Sequence, residues 1–159
     1  MKKEQGFSLV ELLIVVAIIC IIAAIAVPSL LTARMAANEA SGVEGSRTAG
    51  SAEVAYMSVN NQNYTDITGL VSGHYLDERF TAANGFNGYT YALGSVSGLP
   101  SGYGTATPTE FGVLATPGGG IARYTYAIGV DQVVRYQGYT SPATGAPQGL
   151  APGDPIGKR

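Results

Sequence analysis

Charged and reactive residues are scarce in this chain of 159 residues, and several functions are excluded with them. Only 13% of the residues are charged, the formal net charge is −2, and the nine lysines and arginines are spread along the chain. No nucleic-acid partner is predicted, because binding to phosphates requires a basic patch. The lone cysteine, Cys20, cannot form an intrachain disulfide, and in its apolar surroundings a thiol behaves as a small hydrophobic side chain.

Catalytic and metal-binding patterns are also missing. His74 is the only histidine, with no cysteine near it in sequence, so a surface-loop position is predicted for it. Asp77 and Glu78 are adjacent, which is typical of a solvated surface, and no calcium-ligand spacing is found. The glycine triplet 118–120 lacks the lysine of a phosphate-binding loop. We predict no enzyme activity, no cofactor and no metal site.

The hydrophobic residues, 46% of the chain, are concentrated between Phe7 and Leu31, where Glu11 is the only charge. This segment is long enough to cross a bilayer once. Lys2 and Lys3 predict a cytoplasmic N-terminus, with the remainder of the chain outside. A plain membrane anchor leaves Glu11 unexplained, because a carboxylate in the bilayer costs a few kcal/mol.

A secretory signal peptide is an alternative interpretation of the same segment. Lys2 and Lys3 would be its basic region, Leu12 to Ile22 its apolar region, and Ala24-Ile25-Ala26 its cleavage site. A soluble domain beginning at Val27 would then be released. Against this interpretation, Glu11 lies directly before the apolar region, and the helical pattern continues beyond the cleavage site.

A third interpretation accounts for the charge of Glu11. The string Gly6-Phe7-Ser8-Leu9-Val10-Glu11, followed by LLIVVAIICIIAAIAVPSLL, resembles the prepilin cleavage motif of type IV pilins and type II secretion pseudopilins. That family has glycine before the cut, a hydrophobic first mature residue and glutamate as the fifth. Pro28 falls where many family members carry a proline. The resemblance extends without a gap through Leu31.

The resemblance implies that a prepilin peptidase cleaves between Gly6 and Phe7 and that the new Phe7 amine is N-methylated. It makes the chain a substrate, not a catalyst. It further implies a precursor in the bacterial inner membrane, a pilus assembly platform with its ATPase, and a homopolymeric extracellular filament. Glycine at position 6 would allow a catalytic site close approach to the backbone.

Glu11 and Pro28 are the predicted assembly residues. We hypothesise that Glu11 of one subunit pairs with the Phe7 amine of a neighbour, because a shifted subunit would leave both buried charges unpaired. Pro28 removes a backbone donor and clashes with the preceding turn, so a kink or loosening is predicted near Ala24. It is either a simple bend or a compliant segment that unwinds in the filament.

The helical pattern is predicted to continue to Val59 and to end at Asn60-Asn61, with three internal glycines as weak points. The apolar residues expected to pack on a sheet are Ala52, Ala55, Tyr56 and Val59.

Beyond this helix, Asp66 is predicted to cap a short helix, and four segments have strand character. They are Tyr89–Leu93, Glu110–Thr116, Ala122–Ile128 and Gln132–Tyr136, with a tight turn at Gly129–Asp131. The predicted fold is α+β: a long N-terminal helix packed on a small antiparallel sheet. Residues 111–136 also resemble the C-terminal hairpin of some pilins and pseudopilins.

Five segments are predicted along the chain. Residues 1–6 form a prepilin leader, 7–31 a transmembrane or filament-core helix, 32–59 its outer half, 60–139 a globular head, and 140–159 a tail rich in proline and glycine. For the tail, a flexible segment is favoured over a strap laid on the head or on a neighbouring subunit.

The predicted function is that of a type IV pilus subunit, serving motility, adhesion or a related surface role such as twitching. The first alternative is a pseudopilin of a type II secretion system, with the same helix in a short filament. The second alternative is the secreted soluble binding domain described above. The mature N-terminus separates this last alternative from the other two, and filament length and abundance separate the first two.

Overall fold

The structure is a computed structural model that describes residues 7–83, 85–94, 110–119, 121–138 and 153–156. Its elements in chain order are α1 (Leu9–Val59), α2 (Ile67–Ser72), a 3₁₀ helix (Glu78–Thr81), β1 (Tyr89–Leu93), β2 (Gly112–Pro117), β3 (Tyr124–Gly129) and β4 (Arg135–Gly138). Internal contacts divide the chain after Arg34 into an N-terminal unit and a second unit, which we call the head unit. The predicted leader, residues 1–6, lies outside the described residues.

The N-terminal unit is the first part of α1. Every described side chain from Phe7 to Arg34 is exposed, and leucine, isoleucine, valine and alanine cover all sides of the helix. By length and composition this helix can cross a membrane. The long apolar helix predicted from the sequence is therefore confirmed.

Pro28 does not break α1. The chain is helical on both sides of it, so the predicted loosening near Ala24 does not interrupt the helix. The Thr32 hydroxyl donates to the Ser29 carbonyl at 2.9 Å and to the Pro28 carbonyl at 3.3 Å, which gives two carbonyls near the proline an additional donor. A role for Pro28 in assembly stays a prediction.

The head unit contains one antiparallel sheet with the strand order β1-β2-β3-β4. All four predicted strands are present: β1 has the predicted bounds, and the ends of the other three are displaced by one to three residues. The largest displacement is at β4, which begins at Arg135 because the turn before it is longer than predicted. Gln132 has a positive φ of 55° and donates its amide to the Gly129 carbonyl at 2.9 Å, and the Val133 amide bonds to the Asp131 carboxylate.

The second part of α1 packs on this sheet through small residues. Its buried positions are Gly42, Gly45, Ser46, Ala49, Gly50, Ala52 and Glu53. A Cβ atom at Gly42 would lie 2.7 Å from the ring of Tyr89, and one at Gly45 would lie 2.5 Å from the ring of Tyr91. Two of the three glycines that look like weak points in the sequence are thus the positions where tyrosine rings approach the helix backbone, and the third, Gly50, is approached by Ile128 and Gln132.

The expected packing face of α1 was partly wrong. Ala52 is buried and Tyr56 is half-buried against the core, but Ala55 is exposed and Val59 is 66% exposed. The glycine contacts with the tyrosine rings determine which side of the helix faces the sheet. Ala55 lies outside this side, and Val59 is the last residue of α1, beyond the buried positions, which end at Glu53.

The ends of the head helices agree with the prediction. α1 ends at Val59, Asn61 takes a positive φ of 53°, and the Gln62 amide bonds back to the Met57 carbonyl at 3.1 Å, as in a Schellman motif. Asp66 caps α2, since its carboxylate accepts from the Gly69 amide at 2.7 Å.

Residues 153–156 lie along the outer edge of β4. The Gly153 amide donates to the Tyr136 carbonyl at 3.0 Å, and the Ile156 amide donates to the Val134 carbonyl at 2.9 Å. These four residues follow the strap alternative instead of the flexible tail, and they cover backbone groups that an edge strand would otherwise expose. The rest of the predicted tail, residues 140–152 and 157–159, lies outside the described residues.

Replacing Gly42 by alanine should destabilise the head. The new methyl group would overlap the ring of Tyr89, which is fully buried and donates its hydroxyl to the Tyr124 carbonyl at 2.8 Å. Overpacking costs about 1–3 kcal/mol and the gain in helix propensity is at most about 1 kcal/mol, so a net loss of about 1 kcal/mol and a decrease in Tm of about 5 °C are expected.

Thermal unfolding of the full chain in detergent, followed by near-ultraviolet circular dichroism, measures this change. The signal reports tyrosine packing, because the chain has no tryptophan. Ser51→Ala is the control, as Ser51 is an exposed position of α1. Equal stability of the two variants would contradict the proposed contact.

Candidate functional site

The start of α1 is stabilised by a reciprocal pair of hydrogen bonds. Ser8 precedes the first helical residue, and its hydroxyl oxygen accepts from the Val10 amide at 3.3 Å. In the other direction, Glu11 Oε2 accepts from the Ser8 amide at 2.9 Å. Ser8 and Glu11 therefore form a capping box, in which two of the unpaired donors of the first turn receive acceptors.

The capping box determines where the Glu11 carboxylate lies. It is in the first turn of α1, where the partial positive charge of the helix terminus favours an anion. Among the hydrogen bonds and ion pairs of the described residues, Glu11 makes only the bond from Ser8, through Oε2. Oε1 therefore remains able to accept a donor from outside the chain.

The predicted processing residues are adjacent to this turn. Phe7 directly precedes Ser8 and is 91% exposed, so its ring has no core to pack against. Gly6 lies outside the described residues. The structure thus brings Phe7 and Glu11 together at one end of α1, whereas Pro28 lies far along the same helix and does not contact them.

Among the described residues of its own unit, the helix that carries this site has no apolar partner. Ile14 is 52% exposed and Leu30 is 69% exposed, and the large side chains between them are similar. An apolar surface of this size is stable only in lipid or against other apolar helices. The site is therefore one end of a surface built for insertion or association.

A second polar cluster in the head unit was missed by the sequence analysis. Glu39 on α1 accepts two bonds from the guanidinium of Arg123, at 2.9 and 3.0 Å, and a third from the Arg123 amide at 3.1 Å. Asn38 donates to the Ile121 carbonyl at 3.0 Å. These bonds hold the start of the head part of α1 to the β2–β3 connection. No local pattern indicates a pair separated by 84 residues.

Electrostatics within this pair favour its charged form. The hydrogen bonds to Glu39 raise the pKa of Arg123 further above its usual range, so the guanidinium stays charged. The pair is partly screened, because the Glu39 side chain is 12% exposed and that of Arg123 47% exposed. A bidentate geometry with one desolvated partner is nevertheless among the stronger ion-pair arrangements.

The other polar residues singled out in the sequence, His74 and Asp77, lie in a turn and at a helix cap. His74 is exposed in a turn, with a positive φ of 60°, as the surface-loop prediction expects. Asp77 caps the 3₁₀ helix and pairs with Arg79 at 2.9 Å, and these contacts lower the pKa of its carboxyl. In the part of the chain that the structure describes, no group of three potential metal-binding side chains occurs.

Comparison with known proteins bears directly on this N-terminal site. A family described as the prokaryotic N-terminal methylation motif matches residues 1–27. The type IV wide pilus major component PilA4 of Thermus thermophilus is 56% identical over 39 residues, which cover 24% of this chain and 30% of that protein. Residues 1–27 of this chain therefore carry a prepilin-type N-terminal methylation motif. The chain spans less than a third of the length of the curated relative that it matches.

The region that matches the family includes most of the N-terminal site. It contains the capping box, Phe7 and most of the apolar helix, and it ends at Val27. This methylation motif, together with the exposed apolar helix, suits a membrane-anchored precursor. The head unit lies outside the matched family region, so its polar clusters are described from the structure alone.

Loss of the Glu39 carboxylate should destabilise the head. Glu39→Gln removes the charge from three hydrogen bonds, and a loss of about 1 kcal/mol is expected after allowance for solvent screening. Thermal unfolding of Glu39→Gln, Arg123→Gln and the double variant would give the coupling energy. The control pair is Glu44 and Arg47, 3.9 Å apart and exposed, for which no coupling is expected. Equal coupling in both pairs would contradict the assignment.

Proposed function

We propose that this chain is the structural subunit of a type IV pilus, processed by a prepilin peptidase and polymerised through its N-terminal helix. The observation that carries the proposal is the position of Glu11. Its carboxylate lies in the first turn of α1, whose apolar N-terminal part is exposed, one turn after Phe7, and is held there by the Ser8 amide. A carboxylate so placed requires a cationic partner once the helix leaves water.

Cleavage between Gly6 and Phe7 would create that cation. The new Phe7 amine, N-methylated in the family, is positively charged and close to the membrane surface. Within one subunit the capping box occupies Glu11 Oε2, and Oε1 remains available. We infer that the Phe7 amine of a neighbouring subunit binds there. The pair specifies register, since a subunit displaced along the filament would bury two unpaired charges.

The rest of the exposed helix would provide the filament core. Before assembly the bilayer covers its apolar side chains, and after assembly other copies of the same helix do so. The alanines of this segment allow such helices to approach closely. We propose the segment boundaries accordingly: leader 1–6, core helix 7–31, outer helix 32–59, head 60–139 and tail 140–159. Transfer from the inner membrane to the extracellular filament would use an assembly platform and its ATPase.

The mature N-terminus is the decisive measurement. Protein sheared from the surface of its native cells should have a mass and N-terminal sequence that begin at a methylated Phe7, and long filaments should be its source. A chain that begins at Val27 and is free in the medium would overturn the proposal in favour of a secreted soluble domain. A methylated Phe7 in short, scarce, envelope-bound filaments would indicate a pseudopilin instead.

Replacing Glu11 by alanine should separate processing from assembly. The variant lacks the carboxylate but keeps Gly6, Phe7 and the apolar helix, so insertion and cleavage should continue while filament yield falls at least about tenfold, as expected for loss of more than 1.4 kcal/mol of assembly free energy. Filament mass in the sheared fraction and cleaved subunit in the membrane fraction measure the two steps.

The matched control is Glu44→Ala, which removes an exposed carboxylate from the same helix. Its filament yield should equal that of the wild type. Wild-type yield from Glu11→Ala would be incompatible with the proposed pairing, and loss of cleavage in that variant would assign Glu11 to peptidase recognition.

A further inference from the structure

Glu53 is a charged residue enclosed in the head core. Its side chain is 0% exposed, on the face of α1 that packs on the sheet. Glu53 Oε2 accepts from the Thr65 amide at 3.2 Å, whereas Oε1 is buried and has no hydrogen-bond partner. None of the ion pairs among the described residues includes this carboxyl. An enclosed carboxylate with one unsatisfied oxygen is costly, and the neutral acid is less so.

The segment that Glu53 contacts connects α1 to the remainder of the head. Tyr64 packs its ring on Phe111, with the centroids 4.9 Å apart. Thr65 donates its amide to Glu53, and Asp66 caps α2 through the Gly69 amide. The segment Tyr64–Asp66 therefore touches three parts of the head, and its direct bond to α1 is the one to Glu53.

We propose that Glu53 is a proton-dependent latch on the segment Tyr64–Asp66. With a neutral carboxyl, the segment lies closed against α1. Ionisation of Glu53 favours an open form in which water reaches the carboxylate and the bond from the Thr65 amide is lost. The latch depends on described contacts of the head unit and does not rest on the proposed pilus function.

The balance of interactions at Glu53 supports this direction. Burial raises the pKa of Glu53 from 4.5 to about 7; the bond from the Thr65 amide opposes this increase, and the negative charge of Asp66 adds to it. Asp66 is the charged group that faces Glu53 from the connecting segment, and it has the same sign. Because the pKa is higher in the closed form, closure is fully favoured below pH 4.5 and is weakened as the pH rises through about 7.

Hydrogen exchange of the full chain in detergent micelles tests the latch. The Thr65 amide and the peptide amides of residues 60–66 should lose protection on the order of tenfold between pH 5.5 and 8.5, after correction for the intrinsic pH dependence of exchange. In Glu53→Gln, whose amide has the same shape but does not ionise, protection should be independent of pH. Peptides of β3 should remain equally protected in both proteins at both pH values.

Asp66→Asn provides a second variant that keeps a capping side chain on α2. Removal of the neighbouring negative charge should move the midpoint of the opening transition to lower pH. A wild-type chain with constant corrected protection at residues 60–66 would overturn the proposal, whether or not Glu53→Gln folds. A pH-dependent loss that persists unchanged in Glu53→Gln would also overturn it, because the titrating group would then be a different one.

Discussion

The close contact between the glycine face of α1 and the tyrosine rings of the sheet is the constraint on which the head depends. Gly42 and Gly45 have no side chains, so the rings of Tyr89 and Tyr91 can lie directly on the helix backbone. A helix that contains glycine is intrinsically weaker by up to about 1 kcal/mol for each one. The buried area of two aromatic rings offsets this cost, which explains how a weak helical sequence forms a continuous helix.

This contact also places the polar groups of the head. With the glycine face on the sheet, Glu39 lies within reach of Arg123, and Glu53 faces inward beside Thr65. The first carboxylate accepts three hydrogen bonds from a cationic partner, and these offset the cost of its partial burial. The second has a single backbone donor and an anionic neighbour, so the same burial raises its pKa. The difference arises from the partners and not from the residue type.

Glu11 and Glu53 lie on the same helix in opposite environments. Glu11 is exposed and bonded to the Ser8 amide at the helix start, where an anion is favourable. Within the described part of the chain it has no cationic partner, and a filament would supply one from another subunit. Glu53, in contrast, is fully buried, and its Oε1 has no hydrogen-bond partner in the head. Glu11 can therefore accept a donor from outside the chain, whereas the surroundings of Glu53 affect the stability of the head.

The sequence by itself determined the features that depend on local physics. The apolar run, the end of α1 at Asn60 and Asn61, the cap at Asp66 and four strands could all be predicted from residues a few positions apart. So could the prepilin-like motif, because it is a short linear string of residues. Ser8-x-x-Glu11 also matches a capping box in sequence, although its reciprocal bonds became evident only in the structure.

Only the tertiary structure decided which side of α1 faces the sheet and which carboxylates have partners. Helical spacing alone placed Ala55 and Val59 in the core, but the buried positions of α1 end at Glu53 and both residues are exposed. Glu39 and Arg123 are 84 residues apart, and Glu53 looks like any other helix-favouring glutamate. Whether a carboxylate of α1 is buried or paired depends on which residues of other elements pack against it. The sequence pattern within α1 does not specify those residues.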